Sequence, residues 1–148
     1  MAEKDRVRWP KEYEEMLRSL KDLDIFKTYK DALIFAAVLG HKNSRRLPFK
    51  ETAEQIRLSI FGEVGMSIMD CIVLCETRDA QYMSDEKRAE KFQIFEEYAH
   101  GGLEIIKDQI YNVGTSRDDF EQSFANLILD EDEESLLNAT IQDIRHLG

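Results

Sequence analysis

Thr28-Tyr29-Lys30-Asp31-Ala32-Leu33-Ile34-Phe35-Ala36-Ala37-Val38-Leu39-Gly40 is the stretch on which the fold turns. Thr28 is an N-cap residue, and Asp31 three positions on makes a variant of the capping box. Ala32, Leu33, Phe35, Ala36, Ala37 and Leu39 are almost continuously apolar. A helix hydrophobic on most of its surface belongs in the middle of a protein. Its small alanines permit close approach of a neighbour. Gly40 stands where a left-handed C′ residue would end it.

Working outward, Tyr13, Met16, Leu17 and Leu20 recur at i, i+3, i+4, i+7 and predict a first helix entered through Trp9-Pro10. Residues 1–8 are highly charged and expected to be flexible. His41 to Arg46 reads as an exposed basic loop, and Leu47-Pro48-Phe49 as extended chain. Ile56, Leu58 and Ile60 alternate, so a short β-hairpin within 47–60 or a helix fits there. A third helix is expected from near Ser67 to Thr77, with Met66, Met69, Ile72, Val73 and Leu74 on its apolar side. Ser84 would cap a fourth, with Phe92, Phe95 and Tyr98 in the core and a break at His100-Gly101-Gly102. Leu103, Ile106 and Ile110 mark a fifth helix. Ser116 would cap a sixth carrying Phe120, Phe124, Leu127 and Ile128. After the acidic run Asp130–Glu134, Leu136, Leu137, Ile141 and Ile144 mark a last one. The expectation is one all-α domain over residues 1–148 with six to seven helices, centred on 28–39 packed by Phe92, Phe95, Phe120 and Phe124.

Composition narrows the function. The chain has 148 residues, 7 Gly, 2 Pro, and a net charge of −10 from 30 acidic and 20 basic side chains. That balance argues against an all-over nucleic-acid coat. The charge is uneven, however. Residues 1–50 hold 12 Lys/Arg and 8 Asp/Glu, a net of +4, and residues 51–148 hold 8 and 22, a net of −14. Either a basic contact surface sits beside an acidic body, or the two parts attract each other inside the fold. No apolar run is read as long enough for a membrane span, and the first residues are unlike a signal peptide, so a cytoplasmic location is expected.

Two cysteines cannot make a disulfide framework or a four-thiolate zinc site. Cys71 and Cys75 are expected to be buried, unreactive thiols. Glu97-Tyr98-Ala99-His100 has the Glu-x-x-His spacing of di-iron bundles, and Asp143 to His146 mimics it. The second copy has Asp instead of Glu and lies at the chain end, so Glu97 and His100 are weak metal candidates and read as solvated polar residues. His41, His100 and His146 are without a recognisable nucleophile motif, and the phosphate-loop pattern is absent. A carboxylate–metal enzyme is thus the least favoured class, and no cofactor is expected. The binding candidates are Lys42, Arg45, Arg46 and Lys50, because Arg and Lys donate to phosphate oxygens or partner carboxylates. The exposed faces of the first and last helices are candidate homodimer surfaces.

Four stretches carry a resemblance: Arg8-Trp9-Pro10-Lys11-Glu12-Tyr13-Glu14, Phe26 to Gly40, Arg45-Arg46-Leu47-Pro48-Phe49, and Phe95-Glu96-Glu97-Tyr98-Ala99-His100-Gly101-Gly102-Leu103-Glu104-Ile105-Ile106. Together they resemble the Dnd system-associated protein 4 family, linked to bacterial DNA phosphorothioate modification and its restriction machinery. The resemblance implies a role in defence against foreign DNA. It also implies partners among proteins of the phosphorothioation/restriction cluster, with DNA contact through 41–50 as a further reading. A polar turn residue stands in the family where His100 stands here, which argues against a metal site. None of the matched stretches holds catalytic chemistry, so a non-catalytic accessory or adaptor is the function implied. A small DNA-binding or regulatory protein using the basic loop is the alternative.

Overall fold

A computed structural model describes residues 6–112 and 117–128; for Arg117, Leu127 and Ile128 only the backbone is described. Among these residues the architecture is all-α, with five α-helices and one two-stranded antiparallel ribbon. The chain runs through strand β1 (Arg6–Val7), a 3₁₀ turn (Lys11–Tyr13), α1 (Glu14–Asp22) and α2 (Tyr29–Lys42). It continues through β2 (Ile56–Arg57), α3 (Leu58–Thr77), two short 3₁₀ turns, α4 (Arg88–Ile106), a π-helical turn (Lys107–Tyr111) and α5 (Arg117–Ile128). The expected last helix and the acidic run 130–134 lie outside the described residues, as does Ser116.

α2 starts as the sequence predicts. Thr28 is extended, and its hydroxyl oxygen accepts the Asp31 backbone N–H at 3.2 Å. Its end differs. The helix runs through Gly40 to Lys42, and Asn43 closes it by donating its side-chain amide to the Leu39 carbonyl at 2.8 Å. Ser44 then takes φ 53°.

Gly40 is a contact residue. A Cβ there would strike the Tyr98 carbonyl of α4, and one at Gly102 would strike the Ala36 carbonyl of α2. A Cβ on Gly101 would meet the Arg45 backbone just beyond α2. Hence Gly101-Gly102 does not break α4, and the expected fourth and fifth helices are one element. Two glycines in a helix interior cost about 1 kcal/mol each against alanine. Here they let two backbones touch, and α2 against α4 becomes the main helix pair of the core. Ala32, Leu33, Ala36, Ala37 and Phe95 are each 1% exposed or less.

The aromatic expectation holds in part. Phe92, Phe95, Phe120 and Phe124 are all buried. Phe124 meets Phe35 of α2 and Phe26 edge-on, with centroids 5.3 and 5.4 Å away. Phe120 instead stacks on Tyr111, and Phe95 meets Phe61 edge-on at 5.4 Å.

A hairpin within 47–60 does not form, because the N-terminal segment takes that place. Arg6 and Val7 pair with Arg57 and Ile56, and Pro10 bridges to Thr52. Val7 and Trp9 are 0% and 1% exposed, and the indole N–H of Trp9 donates to the Glu54 carbonyl at 2.8 Å. Residues 6–8, expected to be flexible, are therefore anchored: burial of two large apolar side chains outweighs their charged surroundings.

α3 begins at Leu58, not near Ser67. Gly62 interrupts it at φ 81°, ψ 173°, which separates a first turn from the long segment after it. Arg78 ends it in the left-handed region, with its N–H donating to the Leu74 carbonyl at 2.8 Å. Two further expectations fail on α3. Cys71 and Cys75 are exposed, because Phe61, Gly65, Met69, Ile72 and Val73 take the inward face. Taken as one element of 20 residues, α3 also has the length and composition of a membrane-crossing helix, but the Gly62 break leaves only residues 63–77 continuously helical. Gly62, Glu63 and Asp70 punctuate the run and hide its length in the sequence.

The α2–α4 contact makes a prediction with an inverted sign. Gly102→Ala, which raises helix propensity, is expected to lower the unfolding free energy by about 3 kcal/mol because the methyl group meets backbone that has no room to yield. Urea denaturation measures it; a stabilised variant would show that the helices are not in contact at Gly102.

Candidate binding surface

The polar face of α4 carries Glu96, Glu97, His100 and Glu104, which the helical repeat of 3.6 residues brings to one side. The basic N-terminal third folds onto this side. Glu96, 2% exposed, accepts the Arg8 backbone N–H at 2.5 Å and pairs with the Arg8 guanidinium at 3.2 Å. Burial pushes the Glu96 carboxyl above the ordinary carboxylate range, and the hydrogen bonds from Arg8 oppose that rise without cancelling it. Arg8 also lies over the Phe49 ring, 5.4 Å from its centroid.

Arg46 Nε donates to Glu97 at 2.7 Å, and its Nη1 is 3.6 Å from Glu76 of α3. Gln93 donates to the second Glu97 oxygen at 3.2 Å. Arg45 pairs with Glu104 at 3.2 Å. The Leu47 N–H donates to the Glu97 carbonyl at 3.0 Å, so the backbone of the 45–49 arm is tied down as well. His100 lies between the arm and the first turn: Nδ1 is 3.1 Å from the Leu47 carbonyl and Nε2 is 3.1 Å from Glu12. Tyr13 and Phe49 present their rings to the imidazole, with centroids 5.5 and 5.7 Å away.

Glu97 and His100 are therefore not solvated residues; they are 9% and 8% exposed. The sequence reading missed this because Gly101-Gly102 implied a helix end, where polar groups meet water. They also turn to different partners, Glu97 to Arg46 and Gln93, His100 to Glu12 and Leu47. Among the described residues no three His, Cys, Asp or Glu side chains gather as a metal group.

The four binding candidates do not form one cationic patch. Arg45 and Arg46 face carboxylates of α3 and α4. Lys42 is exposed at the end of α2, and Lys50 is exposed at the rim of a cleft of about 390 Å³ that also includes Lys11, Glu12, Phe49 and His100. Arg46 borders a wider cleft of about 620 Å³ whose other charged residues, Glu76, Asp79 and Glu90, are all acidic. The structure adds Arg8, Glu76, Glu96 and Tyr98 to the polar network. Glu96-Glu97 inside an apolar stripe was the one available signal: two adjacent acids beside Phe92, Phe95 and Tyr98 call for cationic partners from elsewhere in the chain.

The attraction between the two halves of the chain is thus realised inside the fold. The residues that carry it fall within three of the four stretches that resembled a family, Arg8 to Glu14, Arg45 to Phe49 and Phe95 to Ile106. The model of one family, DNA sulphur modification system-associated protein 4, matches residues 6–145. The chain belongs to that family. Its members are tied by that description to a DNA sulphur modification system, which is the level at which function is established. No curated protein and no solved structure matches the chain.

Two outcomes test the network. Arg46→Ala leaves the largely buried Glu97 with Gln93 alone and is expected to cost about 2 kcal/mol, part of the penalty for breaking a buried pair because Arg46 is itself half-exposed. Urea melts check this, and Glu97→Gln in the Arg46→Ala background should recover part of the loss. The Tyr98 hydroxyl donates to Glu76 at 2.5 Å, and burial followed by Glu76 pushes its pKa up to about 12 from 10.0. A raised value means the unfolded state loses its proton first. The stabilisation is complete below pH 10 and disappears as pH rises towards about 12. Unfolding free energies compared between parent and Tyr98→Phe should converge across that interval; a constant difference would overturn the assignment.

Proposed function

We propose that this chain is a non-catalytic, cytoplasmic adaptor of a DNA phosphorothioation-linked defence system, acting through proteins of the same gene cluster. The observation that carries the reading is membership, over residues 6–145, in a family defined by association with DNA sulphur modification. The use made of the charged side chains supports it. Glu96, Glu97, His100 and Glu104 bind Arg8, Arg46, Glu12 and Arg45 of the same chain and serve as joints between segments.

The same pairing weighs against DNA contact through residues 41–50. A phosphate reaching Arg46 would have to compete with Glu97 at 2.7 Å, in a chain of net charge −10. The adaptor reading therefore places recognition on protein surfaces, with the arm as a structural latch.

Affinity purification of the tagged full chain from a host carrying the gene cluster tests this reading. Products of the cluster should co-purify; recovery of none of them would overturn it. In parallel, DNA binding of the parent should be negligible at physiological salt. The DNA reading would return if affinity were measurable, fell with a log–log salt slope of about −0.9 per phosphate contact, and were lost in the double variant Arg45→Ala/Arg46→Ala.

A further inference from the structure

Beyond Gly62, α3 presents Val64, Ser67, Cys71 and Leu74 at i, i+3, i+7 and i+10, the alternating three-and-four spacing of a helix–helix seam. All four are exposed, Val64 at 74% and Leu74 at 37%. Cys75, also exposed, widens the seam, while Phe61, Gly65, Met69 and Ile72 pack into the core on the opposite side. A helix of this composition is ordinarily covered all round, yet only 28% of its most apolar window is buried.

Charge identifies what can cover it. One flank of the seam carries Glu63, exposed, and Asp70, bound to Lys91 at 2.9 Å. The acidic cleft of Glu76, Asp79 and Glu90 borders the C-terminal end of α3, although Arg78 also stands there. A second copy of this chain carries the same net charge of −10, so two copies repel one another on approach. The C-terminal segment 129–148 has suitable apolar residues but six acids and one arginine. Neither complements the site.

We propose that the outer face of α3 docks an amphipathic helix of another protein, apolar along a three-and-four seam and carrying Lys or Arg on the flank that meets Glu63. The inference rests on the adaptor reading and gives it a surface. Leu74 and Val64 supply the apolar contact that holds the partner helix. Glu63 sets its orientation and selects against acidic helices.

The test places p-benzoylphenylalanine at position 64 of the full chain, in cells carrying the gene cluster, and sequences the cross-linked peptides after irradiation. The expected product is a peptide of another protein with apolar residues at three-and-four spacing and flanking Lys or Arg. Its yield should fall by about tenfold or more with Leu74→Asp, as for loss of an interface hot spot, and comparably with Glu63→Lys. Both variants alter exposed residues, and unchanged thermal melts will show that they fold. Cross-links to residues 129–148, to a second copy, or to no protein would overturn the proposal, as would a yield indifferent to Glu63→Lys. If purification recovers a cluster protein equally well from parent and Leu74→Asp, the seam is wrong and the adaptor reading stands. If the parent recovers none, the adaptor reading itself has failed.

Discussion

The backbone-to-backbone approach of α2 and α4 is the constraint on which the rest of the structure depends. It requires hydrogen in place of a side chain at Gly40 and Gly102, since a Cβ at either would occupy the position of a carbonyl on the other helix. Close approach sets Gly102 of α4 against Ala36 of α2, and Ala32, Ala36, Ala37, Ala99 and Leu103 are all buried. Dispersion rewards such proximity because many atom pairs reach their optimal separation at once. The price is two glycines within one helix, and a continuous α4 is possible only because the packing outweighs that cost.

Continuity of α4 decides the polar side of the molecule. Had the helix stopped at His100, Glu104 would not follow Glu96, Glu97 and His100 along one face. With the helix unbroken, these four carboxylate and imidazole groups form a line to which the N-terminal strand and the 45–49 arm are fastened. Gly101 belongs to both arrangements, because its missing side chain makes room for the Arg45 backbone. Core packing and the ionic fastening are therefore not independent. The arm reaches its carboxylates only where the glycine pair lets the backbones meet.

The same geometry explains why the surface differs from what a count of charges implies. Arg8, Arg45 and Arg46 account for much of the basic excess of the first fifty residues, and all three are turned onto carboxylates of the same chain. The surface keeps exposed Lys11, Lys21, Lys27, Lys42 and Lys50, beside an acidic cleft at Glu76, Asp79 and Glu90 and the exposed apolar residues of α3. Arginines turned inward and an apolar helix face left open support the proposed protein partner over a phosphate backbone.

The helical class, the start of α2 at Thr28, the buried stripe of α1 and the aromatic positions of α4 and α5 were legible in the sequence, because each rests on local rules: a capping hydroxyl and a 3.6-residue period. The charge asymmetry was legible too, together with the idea that its halves attract. The partners were not. Glycine reads locally as a helix end, and only the presence of α2 turns Gly101-Gly102 into a contact. Cys71 and Cys75 sit in an apolar helix whose inward face is set by which neighbours it meets. Residues 56 and 57 take a strand partner some fifty positions away because Val7 and Trp9 need burial. Local periodicity is a property of the chain itself. The choice among its polar and apolar partners is made by what the fold brings within a few ångströms, and that is where Glu97 and His100 acquired their partners and α3 its open face.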